Sequence, residues 1–425
     1  MIHPVAAADR SRAFVTPPAL TPPPASRVED MDVSEHLLID IAMRHIYLRG
    51  TCTIKLLGNL MKLPLELTEA LFRRLNDQGM FEVRRMEGDD YLFALSPTGR
   101  RIAVERASTL RYAGPVPVSL KSWTDAVRAQ AVDVNITRPE LRAAFNDIIV
   151  PDSLLDALGP ALCSRTSLFL YGPSGTGKTT ISERLLRVYR DTILVPYAVE
   201  IQGQIVMLAD PALHQSVSFD NLYIDPRWMV CRRPFVAVGG ELVASMLELQ
   251  KDEGAGAFVA PLQMKANNGL LLIDDFGRQL MSPRDLLNRW IVPLDRRVDF
   301  LSIGSGQKFD VPFEILVVFS TNLEPRELAD DAFLRRVPNK ILVAGIEPAA
   351  FDLIFYRTAE TLGLRYEHGA AQYCRELCLR HSPDLRPCYP RDICNAIRAI
   401  RLYEGREPAI AREDLDRAVA GYFVS

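Results

Sequence analysis

Ser167-Leu168-Phe169-Leu170-Tyr171-Gly172-Pro173-Ser174-Gly175-Thr176-Gly177-Lys178-Thr179 is the stretch that decides the fold of this chain. An apolar run of strand length passes straight into G-x-x-x-x-G-K-T, and helical sequence continues to Val188. A strand, a glycine-rich loop and a helix in that order form a polyphosphate cradle. The glycines let backbone N–H groups wrap the anion with no Cβ in the way, and the helix N-terminus adds its partial positive charge. Gly172, Pro173, Ser174, Gly175, Thr176, Gly177, Lys178, Thr179 and Thr180 are therefore expected to hold ATP. Within that set Lys178 would reach the β- and γ-phosphates and the Thr179 hydroxyl would ligate Mg²⁺.

Such a loop needs an acid beside it, delivered by a buried strand that ends at the same sheet edge. Leu270-Leu271-Leu272-Ile273-Asp274-Asp275 has that form. Asp274 is assigned to the Mg²⁺ side, directly or through water, and Asp275 to polarising the attacking water. From Trp123 to about Val343 strand and helix patterns alternate, which predicts an α/β sheet with helices on both faces. Helical periodicity from Phe351 onward, broken at Pro383–Pro390, predicts a small helical domain.

These motifs resemble the AAA+ ATPase family, and the resemblance covers roughly residues 150–400. It implies a parallel AAA+ sheet with a helical lid, and an ATP hydrolase that works as a homo-oligomeric ring, a hexamer, with sites shared between subunits. Val317-Val318-Phe319-Ser320-Thr321-Asn322 looks like the family's next strand, and Asn322 then takes the role of orienting water. Asp331-Ala332-Phe333-Leu334-Arg335-Arg336-Val337 resembles the segment that presents an arginine finger to the neighbouring subunit. Arg336 is preferred, because the finger commonly precedes an apolar residue there, with Arg335 close behind. Tyr389-Pro390-Arg391-Asp392-Ile393 looks like the second sensor, in which Arg391 contacts nucleotide from the first turn of a lid helix opened by Pro390. Most family members carry Glu where this chain has Asp275. The ending Asp274-Asp275-Phe276-Gly277 is similar to that of helicase-loader and transposition-helper ATPases.

Ahead of this region, three short helical patterns near Leu37–His45, Thr53–Asn59 and Leu65–Asn76 precede a hairpin signal around Glu87-Gly88-Asp89-Asp90. That order resembles a small α+β winged-helix domain, a module that usually places its third helix in the DNA major groove. Residues 31–105 hold ten Lys/Arg against eleven Asp/Glu, with no basic footprint for phosphate neutralisation. Docking of a protein partner is therefore favoured over DNA for this module.

The expected organisation is a disordered or extended Pro-rich tail (1–30), the winged-helix-like domain (31–105), a linker (106–121), the nucleotide-binding domain (122–345) and the lid (346–425). Between the two motifs, Tyr223, Trp228, Met229, Val230, Arg232 and Arg233 are either pore-lining residues or the core of an inserted hairpin. Arg289, Arg296 and Arg297 are secondary candidates for contacts to a neighbouring subunit. A net charge of −3 favours no nucleic acid, membrane or acidic partner, and no window is apolar enough to span a membrane. Seven scattered cysteines fit a reducing compartment, so a cytoplasmic protein is expected. The function this supports is remodelling or assembly of a protein partner. The alternative is a DNA-associated ATPase, such as a loader, transposition helper or regulator.

Overall fold

The computed structural model describes residues 16–131, 136–220, 223–304, 306–328 and 331–423. Five strands are central to it: β1 (Leu168–Tyr171), β2 (Phe235–Val238), β3 (Leu270–Ile273), β4 (Leu316–Thr321) and β5 (Asn339–Leu342). They form one all-parallel sheet in the spatial order β2-β3-β4-β1-β5. β3 and β4 are buried along their whole length, which explains why Leu270–Ile273 and Leu316–Phe319 read as unbroken apolar runs instead of alternating. Parallel alignment brings the C-terminal ends of β1, β3 and β4 to one edge, where ligands of open α/β sheets bind. Beneath that edge Phe169, Phe276 and Phe319 pack together, with ring centroids 5.0 to 5.9 Å apart.

The chain forms two compact units, considered over the described residues. The first comprises Met1–Val132, Tyr189–Leu271 and Asn288–Leu316; the second comprises Asp133–Val188, Leu272–Leu287 and Val317–Ser425. Residues expected in one domain spanning 122–345 thus contribute to both.

In the first unit, helices Glu35–Arg49, Ile54–Met61 and Leu65–Asp77 precede an antiparallel hairpin of Phe81–Glu87 and Asp90–Leu95. Thr51–Thr53 pairs with the second hairpin strand and completes a three-stranded sheet. Ser34 and Thr53 cap the first two helices by accepting the Leu37 and Leu56 N–H groups. Asp90 accepts the Ile54 and Lys55 N–H groups, tying the hairpin to the second helix. Ala198, Ile205 and Ala257 are buried in the same apolar core as these helices, which is why residues far along the chain belong to this unit.

The expected linker is packed into that core as well: Tyr112 and Val116 are buried, and Arg44 donates to the Tyr112 carbonyl. Of the expected tail, residues 1–15 lie outside the described residues. From Thr16 on the chain is extended along the protein rather than disordered, because Thr16 exchanges backbone hydrogen bonds with Arg190 and Thr192, and Pro22 accepts the Asp225 N–H.

The segment between the two motifs forms an antiparallel pair, Thr192–Pro196 with Trp228–Arg232. Trp228 is buried, and Arg233 is buried on Asp191 and the Asn268 carbonyl, so these two residues serve the hairpin core. Arg289 likewise is engaged within the chain, by Asp299 and Glu248. Arg296 is exposed and Arg297 lies 3.9 Å from Glu314.

The polar centre of the first unit is Arg227, 5% exposed, which donates to Asp225, to Asp32 and to the Pro117 carbonyl. Removing one member of a buried charge set leaves the others uncompensated, so Arg227→Ala is expected to cost about 3–5 kcal/mol of stability. Urea unfolding followed by circular dichroism reads this as a lower midpoint. An unchanged midpoint would show that the set contributes nothing net.

In the second unit, residues after β5 fold as helices Pro348–Thr361, Ala370–His381, Cys388–Tyr403 and Arg412–Tyr422 around a core containing Phe351, Phe355, Ile393 and Ile397. Cys374, Cys378 and Cys394 are small apolar members of that core, and among the described residues no cluster of three or more His, Cys, Asp or Glu side chains is placed to hold a metal. No helix among the described residues is long and apolar enough to cross a membrane.

Candidate nucleotide site

The loop leaving β1 turns through Gly172, Gly175 and Gly177, all at positive φ. Two of them show why glycine is required. At Gly172 (φ 134°) a Cβ would sit 2.5 Å from the Val343 carbonyl oxygen. Gly177 (φ 91°) is the left-handed N-cap of helix Lys178–Leu185, and a Cβ there would meet no protein atom within 4 Å. The first needs glycine for space, the second for conformation, and the space beside Gly177 is open.

Lys178 is buried at 7% exposure, and its ammonium donates to the Gly172 and Pro173 carbonyls at 2.9 and 2.8 Å and to Asn322 Oδ1 at 2.8 Å. Burial pulls its pKa below the usual lysine value; Asp274 and Asp275 pull the other way, and Arg386 adds to the depression. One residue on, the Thr179 hydroxyl donates to Asp274 Oδ2 at 2.6 Å. The strand that ends before Asn322 lies between the strand ending in the acids and the strand entering the loop, so Lys178, Thr179, Asp274 and Asn322 meet although up to 144 positions separate them.

The acid turn is held by backbone and side-chain hydrogen bonds together. Asp275 takes a left-handed conformation (φ 48°), which aspartate tolerates better than most residues, and its side chain is exposed. Its N–H donates to Asp274 Oδ1, and the Phe276 N–H donates to the Ser320 carbonyl. Gln279 closes the turn, donating to the Asp274 carbonyl and accepting the Gly277 N–H, both at 2.8 Å. Thr321 supports it from the neighbouring strand by donating to the Phe276 carbonyl. Neither Gln279 nor Thr321 has a sequence signal, because their roles exist only once the turn is closed.

The arginines are placed differently. Asp331–Leu334 is one helical turn, after which Arg335 is exposed and Arg336 is half-buried. Arg391, expected at the nucleotide, has a side chain 71% exposed beside Asp392, at 3.8 Å. The helical-domain arginine that lies on the loop is Arg386, which donates to the Ser174 carbonyl at 3.1 Å and stacks over the Tyr389 ring. Next to it, Cys388 Sγ would lie 2.4 Å from a Cβ on Gly175, so this segment packs directly on the loop. The reason is the helix start: it begins at Cys388, two residues before Pro390, so Pro390 sits inside the first turn and Arg391 beyond it. The run Arg386-Pro387 is the available signal, as an arginine immediately before the proline that caps the helix.

One family model matches, a domain of unknown function (DUF8689), over residues 347–421. No curated protein matches the chain. Among solved structures the chain is similar to a mutant of Thermotoga maritima RuvB at 14% identity and TM-score 0.41, covering 66% of this chain and 73% of that one. It is similar to NtrX from Brucella abortus in complex with ATP at 13% identity and TM-score 0.41, covering 77% of this chain and 65% of that one. The Thermotoga maritima RuvB Holliday junction branch migration motor matches at 15% identity and TM-score 0.38, covering 66% and 72% of the two chains.

Proposed function

We propose that this chain is an AAA+ ATPase that binds ATP with Mg²⁺ on Gly172–Thr180 and hydrolyses it in a homo-oligomeric ring, a hexamer, to remodel a protein partner. The observation that carries the reading is the convergence of Lys178 on Asn322 and of Thr179 on Asp274 at the edge of a parallel sheet. The residues fit the ligands. A hydroxyl and a carboxylate 2.6 Å apart are a pair of hard oxygen donors suited to Mg²⁺, and the open left-handed N-cap at Gly177 heads a helix whose N–H groups favour phosphate.

Lys178 rests on neutral acceptors that anionic phosphate oxygens outcompete, since charge-assisted hydrogen bonds are about twice as strong as neutral ones. Mg²⁺ held by Thr179 and Asp274 would neutralise charge on the β- and γ-phosphate oxygens. Asp275, exposed at the turn, polarises the attacking water and Asn322 orients it. Aspartate's shorter reach than glutamate makes this the slow element of the site. Arg386 steadies the nucleotide from the helical domain in place of Arg391, and the neighbouring subunit supplies Arg335 or Arg336.

A protein partner is favoured by what the first unit exposes. In helix Leu65–Asp77 the cations are already paired, Arg73 with Glu69 and Arg74 with Glu35 and Glu29, so little is left for DNA phosphates. Leu65, Val83, Met86 and Tyr91 are exposed instead, on the third helix and the hairpin of an arrangement that resembles a winged helix.

The test is phosphate release per chain across a dilution series, with assembly followed by sedimentation. The rate per chain is expected to rise as chains assemble. A rate that stays constant down to monomers would remove the shared site from the proposal.

A further inference from the structure

The segment that carries Arg335 and Arg336 is fixed at three points within its own chain. Phe333 is buried edge-on against Phe319 of β4, with ring centroids 6.1 Å apart and planes at 85°. Val337 is fully buried. The third point is Lys340 on β5, whose ammonium donates to the Leu334 carbonyl at 2.6 Å and to the Val337 carbonyl at 2.8 Å. These two carbonyls bracket the arginine pair. A turn of four helical residues leaves its terminal carbonyls without helical partners, and a cation at that end satisfies them. Lys340 itself lies opposite Phe169 on β1, the strand that runs into the phosphate loop.

We infer that Lys340 is a positioning residue for the arginine that this chain presents to its neighbour. The inference rests on the shared-site reading above and adds a residue outside its motifs. Lys340 acts on the arginine segment rather than on the nucleotide; it closes the loop 334–340 so that the guanidinium beyond Leu334 projects from a rigid base. Without the ammonium, two carbonyls lose their donor and the arginine is presented loosely. A misplacement of about 1 Å in a group that must meet developing charge costs on the order of 10²-fold in rate.

The consequence is directional. A Lys340→Met chain keeps its own phosphate loop and fails only as the donor to the next subunit. A Lys178→Ala chain is the reverse: its own loop is dead but its arginine segment is intact. The experiment mixes these full-length variants in equal amounts and measures phosphate release, with binding of a fluorescent ATP analogue measured on each alone. An equal mixture of Lys178→Ala with Arg335→Ala/Arg336→Ala serves as reference.

Lys340→Met is expected to bind the analogue within about twofold of the native chain and to turn over on the order of 10²-fold more slowly. The mixture with Lys178→Ala should recover activity well above the sum of the two alone, and Lys340→Arg should restore turnover. Native turnover by Lys340→Met, loss of analogue binding, or a mixture that only sums its parts while the reference mixture complements would each overturn the assignment to Lys340. A reference mixture that fails to complement locates the failure in the shared site itself, and this inference falls with it.

Discussion

Lys178→Ala is expected to abolish ATP binding at micromolar nucleotide and to lower turnover by roughly 10²–10³-fold or more, while leaving the fold intact. The first half follows from charge. Lys178 is a cation seated inside the loop, on the Gly172 and Pro173 carbonyls and Asn322, and removing a preorganised electrostatic donor costs about 10²–10³ in rate. The second half follows from burial, which pulls the Lys178 pKa down and so marks the buried ammonium as a strain on the folded state rather than a support. Deleting it leaves neutral acceptors at a loop edge, a small cost beside the loss of a core residue. Phosphate release, analogue binding and thermal unfolding measured together separate the two. Native turnover in the variant would end the case for this loop as an ATP site, and unfolding would show that the loss of activity was structural.

The elements that can be read in advance are those whose physics is local. G-x-x-x-x-G-K-T needs its glycines for backbone reasons that hold in any context, and Leu270–Asp275 announces a buried strand with acids at its end. The helices and hairpin between residues 35 and 95 also follow from apolar periodicity and from the turn signal at Glu87-Gly88-Asp89-Asp90. What cannot be read depends on which distant segments meet. Nothing in Ala198, Ile205 or Ala257 says that they complete a core begun at Leu38. Arg289 looks like any surface arginine until Asp299 is known to be buried beside it. Arg386 escapes notice because Pro390 looks the better helix opener, whereas the helix starts at Cys388 and Arg386, just ahead of it, donates to the loop's Ser174 carbonyl. The packing of Cys388 against Gly175 shows the same limit: a cysteine carries no hint of the glycine it faces.

Of the two adjacent arginines, Arg335 is expected to carry the larger catalytic effect, reversing the preference drawn from sequence. Arg335 is exposed and so able to reach a neighbouring subunit, whereas Arg336 is half-buried. A guanidinium supplied to the γ-phosphate is worth about 10³–10⁵ in turnover, so Arg335→Ala should lose on the order of 10³-fold with analogue binding preserved. Arg336→Ala should lose less turnover and more thermal stability, because part of its side chain is buried in its own chain. Poisoning gives an independent reading. Chains carrying both Lys178→Ala and Arg335→Ala lack an active loop and a donor, so each disables its own site and the one beside it. In a closed ring an equal mixture with native chains should therefore retain about a quarter of the activity, not half. Linear dilution of activity, with Arg335→Ala itself near native, would place the charge-stabilising group elsewhere in the chain.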